Sequence, residues 1–281
     1  MSLNKSSIDY LKYAEEILGR PGRSLNICTG CLHHESDICN IPCYAKRMVE
    51  HGRLKGNKAY PHGFAPTFHP ERIRHYKLRD KRPMLIFLND MGDVGGEWFW
   101  RPSQSFRGFY PGNNDIASEM VRFANLNPEH IILMLTKNPA WYALAKWPNN
   151  VWCGFTATNN EEADKRYFET KRTVDPSRIW CSLEPWYDPQ PPRIPKDISW
   201  VVIGGQTNPN KPVSDTTLKW AVRADNIKHH VQSLLLGHVS IPFRLDFIDE
   251  LMEIPSLFVK DNAGWSGTLR EYPDEFRYKP K

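Results

Sequence analysis

The chain has 281 residues, 40% of them hydrophobic and 25% charged, with a formal net charge of +5. That composition supports a full hydrophobic core and excludes an intrinsically disordered chain. No stretch approaches twenty consecutive apolar residues, and the first twenty lack the apolar centre of a secretion signal, so neither a membrane span nor an export leader is expected.

In chain order, helical spacing over Ile8–Leu18 predicts an amphipathic helix within an N-terminal extension, residues 1–24. LNIC (25–28) reads as a first strand running straight into a cysteine-rich loop, and YAKRMVEHG (44–52) reads as a helix after it. From residue 84, short apolar runs alternate with longer amphipathic stretches. The predicted strands are 84–89, 131–136, 151–157, 178–183, 199–204 and 256–260, and the predicted helices are 115–125, 139–146, 160–171 and 214–236. The stretches 97–114 and 184–195 read as loop insertions. This alternation is the pattern of βα units around a parallel sheet. We expect an α/β fold, a partial (βα)6-type barrel over residues 25–262, followed by a tail over 263–281.

Polar residues cluster after these strands. They include Asn89, Asp90 and Asp93, then Thr136 and Lys137, Ser182 and Glu184, Gly204 and Gly205, and Lys260. In parallel α/β folds the carboxyl ends of the strands carry the site, because their loops converge there. Lys137, Lys260 and Glu184 are therefore candidate catalytic groups.

The loop CTGCLHHESDICNIPCYAKRM (28–48) holds four of the six cysteines. A chain without an export signal points to a reducing, cytoplasmic setting, where clustered thiols bind metal or do chemistry more often than they pair. Two metal readings stand. Zinc would take Cys28, Cys31, Cys39 and Cys43 as a tetrahedron. An iron–sulfur cluster would take Cys31, Cys39 and Cys43 and leave one iron open for an outside ligand. Cys153 and Cys181 lie in apolar runs and read as core residues, and His33 and His34 as loop histidines. Residues 1–80 carry thirteen Lys/Arg against eight Asp/Glu, a bias that suits nucleic acid or an anionic cofactor.

Eight fragments in one order carry a resemblance: TGC (29–31) and CYA (43–45), HPERI (69–73), FLNDMGD (87–93), LTKNP (135–139), NVWCGFTATN (150–159), SLEP (182–185) and WVVIGGQTNP (200–209). The set is similar to the phage Gp37/Gp68-like, or DUF5131, proteins, a family that resembles a divergent branch of the radical SAM enzymes. The family more commonly has six and then two residues between its cysteines, where this chain has seven (LHHESDI) and three (NIP). A glutamate commonly follows its paired glycines, where this chain has Gln206.

The resemblance implies a [4Fe–4S] cluster on Cys31, Cys39 and Cys43, with S-adenosylmethionine at its open iron. Reductive cleavage would give a 5′-deoxyadenosyl radical that abstracts hydrogen from a substrate. It places Asn89, Asp90, Asp93, Thr136, Ser182, Glu184, Gly204 and Gly205 around the cofactor. It also implies an electron donor of the reductase, flavodoxin or ferredoxin type. A nucleic acid or nucleotide is a permitted substrate. Gly95-Gly96-Glu97 is similar to the glycine-glycine-glutamate segment of radical SAM enzymes.

Overall fold

Five of the seven strands read from the sequence, those over 84–89, 131–136, 151–157, 178–183 and 199–204, are mainly apolar runs that are almost entirely buried, as strands covered on both faces are. The computed structural model describes residues 3–6, 8–33, 39, 43–73, 77–78, 82–96, 116–190, 192–195, 197–207, 210–211, 256–260 and 270–277. The strands are β1 (Asn4–Lys5), β2 (Gly22–Leu25), β3 (Cys28–Thr29), β4 (Thr67–Phe68), β5 (Leu85–Leu88) and β6 (Ile131–Thr136), followed by β7 (Val151–Ala157), β8 (Ile179–Leu183), β9 (Trp200–Ile203), β10 (Gln206–Thr207), β11 (Asn210–Lys211) and β12 (Ser256–Val259). The described helices are α1 (Asp9–Lys12), α2 (Ala14–Leu18), α3 (Tyr44–Glu50), α4 (Ile116–Asn125) and α5 (Asn160–Lys171). The expected helix 214–236 and the insertion 97–114 lie outside the described residues.

The principal sheet has the order β1-β2-β5-β6-β7-β8-β9-β12. The short β1 is antiparallel to β2, and every other neighbouring pair is parallel. The parallel strands follow chain order without a reversal, so each crossover steps in the same direction. Right-handed crossovers then place their helices on one face. Among the described residues no pairing joins β12 back to β2, and the sheet is not closed into a barrel.

On the helical face, Ile86, Ile132, Met134, Cys153, Phe155 and Cys181 meet the buried stripe of α4 (Ile116, Met120, Phe123) and Tyr167 of α5. The opposite face is aromatic. Tyr10 from α1 packs edge-to-face on Phe87, Trp180, Trp200 and Phe258, with ring centroids 5.5–6.2 Å apart. Tyr272 and Phe276 complete this layer, and the Tyr272 hydroxyl donates to the Tyr10 carbonyl.

Three local features differ from the sequence expectation. The first strand ends at Leu25, and Cys28 belongs instead to the antiparallel β3–β4 pair. The predicted N-terminal helix is two short turns that meet at Tyr13. Residues Pro139–Leu144 wind as a 3-10 helix rather than an α-helix. Gly22 explains how α1 sits so close to β2: a Cβ there would lie 2.0 Å from the Leu11 carbonyl oxygen.

Candidate functional site

The route of the chain after β2 decides where each thiol goes. The Cys28 amide donates to Asn89 Oδ1 at 2.7 Å. The Cys28 side chain is fully buried in the main core beside Leu25, Ile27 and Phe68. Gly30 then adopts φ +79°, and a Cβ there would lie 2.4 Å from the Phe64 and Ala65 carbonyl oxygens, so only glycine fits this turn. Beyond it, Cys31 packs with Cys43 into a separate small cluster formed by Val49, Phe64 and Met91.

Cys31 Sγ accepts from the His33 amide at 3.3 Å, and Cys43 Sγ accepts from the Lys46 amide at 3.4 Å, which also caps α3. Burial pushes the Cys31 and Cys43 thiols up. The Asp93 carboxylate adds to the effect on Cys31, and Cys39 adds to that on Cys43, while the Lys137 ammonium draws both down. Cys31, Cys39, Cys43 and Lys137 therefore share one neighbourhood. Among the described residues, no group of three or more His, Cys, Asp or Glu side chains is gathered at metal-binding geometry. The thiols are neighbours rather than a preassembled cage.

Asp93 ties this loop to the sheet. Its Oδ1 accepts from the Thr136 hydroxyl at 2.6 Å and the Gly95 amide at 3.0 Å. Its Oδ2 accepts from the Lys137 amide at 2.9 Å and faces His33 Nε2 at 3.2 Å. Burial alone would raise this carboxyl, but the His33 contact, the Thr136 hydroxyl and the Lys137 amide outweigh it and hold the pKa at about 2. Asp93 and Thr136 thus spend their polar atoms inside the chain. Gly95 belongs to the same knot, its carbonyl accepting from Asn138 Nδ2 at 2.7 Å, whereas Glu97 lies outside the described residues.

A second polar group lies on the aromatic side of the strand ends. Asn26 Oδ1 accepts from the Met91 amide at 2.9 Å, and Asn26 Nδ2 donates to Asp90. Burial raises the Asp90 pKa, with the Asn26 and Ser24 hydrogen bonds opposing it. Asp90, just after β5, and Glu184, just after β8, are both within electrostatic reach of the buried Tyr10 hydroxyl. Lys260 Nζ donates to Glu184 Oε2 at 2.7 Å, whereas Glu184 Oε1 and Asn89 Nδ2 are buried and, among the described residues, have no hydrogen-bond partner. Asn89 itself has φ +64°. Ser182 and the buried Gly204 belong to the neighbouring strand ends, and the Gly204 carbonyl accepts from the Trp186 amide.

The predicted residues therefore divide. Cys31, Cys39, Cys43, Lys137, Asp93 and Thr136 belong to the thiol-loop neighbourhood, and Asn89, Asp90, Glu184 and Lys260 form a second polar group at the strand ends. Sequence reasoning missed Asn26, the bridge from β2 to Asp90, and the His33–Asp93 contact. It also missed His69, whose Nε2 meets the buried Thr29 hydroxyl at 2.8 Å. Burial and the nearby Arg72 push the His69 pKa down to about 4, so it stays neutral and braces β3 against β4. Nothing in local spacing marks these three, because each acts through a partner 40 or more residues away.

A parallel sheet in chain order, with a thiol-bearing loop after its first parallel strand and polar groups at its carboxyl ends, defines an α/β protein whose candidate site residues lie at the strand ends. The sequence profile described as "Protein of unknown function (DUF5131)" matches residues 21–233, and the chain belongs to that family. Comparison with curated proteins and with solved structures finds no match. Among the described residues no helix is long and apolar enough to cross a membrane.

Proposed function

We propose that this protein is a radical SAM-like enzyme whose sheet forms a partial barrel. It would hold a [4Fe–4S] cluster through Cys31, Cys39 and Cys43, with S-adenosylmethionine bound beside it. The observation that carries the reading is the sorting of the thiols: Cys28 is committed to the core, while Cys31 and Cys43 both pack on the small cluster of Val49, Phe64 and Met91, within electrostatic reach of Lys137. A four-cysteine zinc site would have to draw Cys28 out of a fully buried position.

The donor set fits a cluster with three protein thiolates. Backbone amides already point at Cys31 and Cys43, and such N–H···S contacts stabilise sulfur-bound charge. When bound, the cluster and S-adenosylmethionine would supply one-electron reductive cleavage of a carbon–sulfur bond. The chain's own residues position and shield. Lys137 offsets negative charge at the thiols. Asp93 fixes the loop through His33 and β6. Glu184 Oε1 and Asn89 Nδ2 would offer an acceptor and a donor to a ligand at the strand ends, and Lys260 holds Glu184 in place.

Anaerobic reconstitution with iron and sulfide tests this reading. About four irons per chain and visible absorption are expected, retained in Cys28→Ala and lost in Cys31→Ala. A colourless protein with one zinc per chain, or loss of metal in Cys28→Ala, would overturn it. Release of 5′-deoxyadenosine on adding S-adenosylmethionine and a reductant then separates an active enzyme from an inert relative.

A further inference from the structure

The helix and loop that follow Cys43 carry an unbalanced charge. Between residues 43 and 63 stand Lys46, Arg47, Arg53, Lys55 and Lys58, against Glu50 alone among acids. Arg47, Arg53, Lys55 and Lys58 are exposed, and among the described residues none of the four makes an ion pair. Self-repulsion among cations that no acid offsets is unfavourable for folding alone and favourable for meeting a polyanion. On α3, Tyr44 and Arg47 are three residues apart and so share one face. Tyr44 is 50% exposed, so half of its surface is open to a partner.

This strip is fastened to the mouth of the site. Arg72 donates to the Ala59 carbonyl at 2.6 Å and to the Asn26 carbonyl at 2.7 Å, and Asn26 in turn holds Asp90. Tyr60, half-buried, lies within electrostatic reach of Asp90, Arg72 and Arg53. Leu54 and Tyr60 also pack on the cluster that contains Cys31 and Cys43. The exposed cations and the strand-end residues therefore belong to one braced surface.

We propose that the exposed face of α3 and the loop over 51–63 bind single-stranded nucleic acid, with Arg47, Arg53, Lys55 and Lys58 on its phosphates and Tyr44 stacked on a base. Cations alone would suit any polyanion. The ring beside them selects one with aromatic faces, and a single strand offers those faces where a duplex hides them. Presentation of a nucleotide to the mouth as substrate rests on the radical-enzyme reading above; binding to the strip does not.

The test uses the full-length chain and a fluorescent single strand of about 16 nucleotides, an upper length for one such site, at several salt concentrations. The triple variant Arg53→Ala/Lys55→Ala/Lys58→Ala should weaken binding at least about tenfold. It should also flatten the slope of log K against log salt by about 2, at roughly 0.7 per phosphate contact on a single strand. Tyr44→Ala should weaken binding about fivefold or more and leave that slope unchanged. Equal binding by the triple variant, tighter binding of a duplex, or equal competition by polyglutamate would overturn the proposal. Iron content measured on the same samples keeps the two readings apart. Binding without a cluster sinks only the radical chemistry, and a cluster without binding sinks only this surface.

Discussion

Cys28 and Cys31 are three residues apart and sit in two different regions. The first lies in the core shared by the sheet and its helices, walled by Ile27 and Phe68; the second lies in a small cluster under the loop, with amides and a lysine close by. The same side chain is inert filler in one place and a ligand candidate in the other. What separates them is backbone: one antiparallel bridge to β4 and one left-handed glycine. Residue type therefore says little about a thiol's role until the path of the chain is fixed.

Gly30→Ala is the harshest way to break this sorting. It forces a left-handed alanine and a clash with two carbonyl oxygens, together worth about 3 kcal/mol or more, which should appear as a lower midpoint in denaturant unfolding. Asp93→Asn comes next, with a loss of about 2 kcal/mol at neutral pH. The folded Asp93 pKa of about 2 lies below the unfolded value, so its stabilisation is complete above about pH 4 and disappears as pH falls through about 2. Unfolding curves taken at neutral and acid pH should show the wild type losing that margin and the variant losing far less.

Cys28→Ala tests the core side. Removing a small buried side chain should cost about 1 kcal/mol, with the slope of the unfolding curve unchanged. A variant as stable as the wild type would show that this thiol is not packed as described. Tyr44→Ala, on the loop side, should change stability by less than about 0.5 kcal/mol because half of the ring is already in solvent; a larger thermal shift would mean the ring props α3 rather than faces a partner.

β5, β6, β7, β8, β9 and β12 were legible because each is a mainly apolar run, as burial within a parallel sheet requires, whereas the short polar pair β10–β11 carries no such signal. The first strand was not legible either. GRSL looks like loop, since Arg23 and Ser24 are polar and Gly22 has no side chain. Yet Ser24 serves Asp90, and Gly22 makes room for α1. The thiol loop was visible as composition, and its division only as one of two open readings, because what decides it is the pairing with β4, some forty residues on. Asp93 was legible as a strand-end acid and misleading as an open one, since its four partners are spread over β6 and both loops.

The aromatic layer on the sheet face opposite the helices has a consequence for how the protein comes into being. The hydrogen bond from Tyr272 to Tyr10 spans 262 positions of sequence, and Trp200 Nε1 reaches forward to the Glu271 carbonyl. Such long-range closure carries a large entropic cost and comes late in folding. A nascent chain that has reached β9 but not residue 272 already carries Trp152, Trp180 and Trp200 without their lid. That interval, rather than any feature of the finished molecule, is when this protein is most exposed to aggregation.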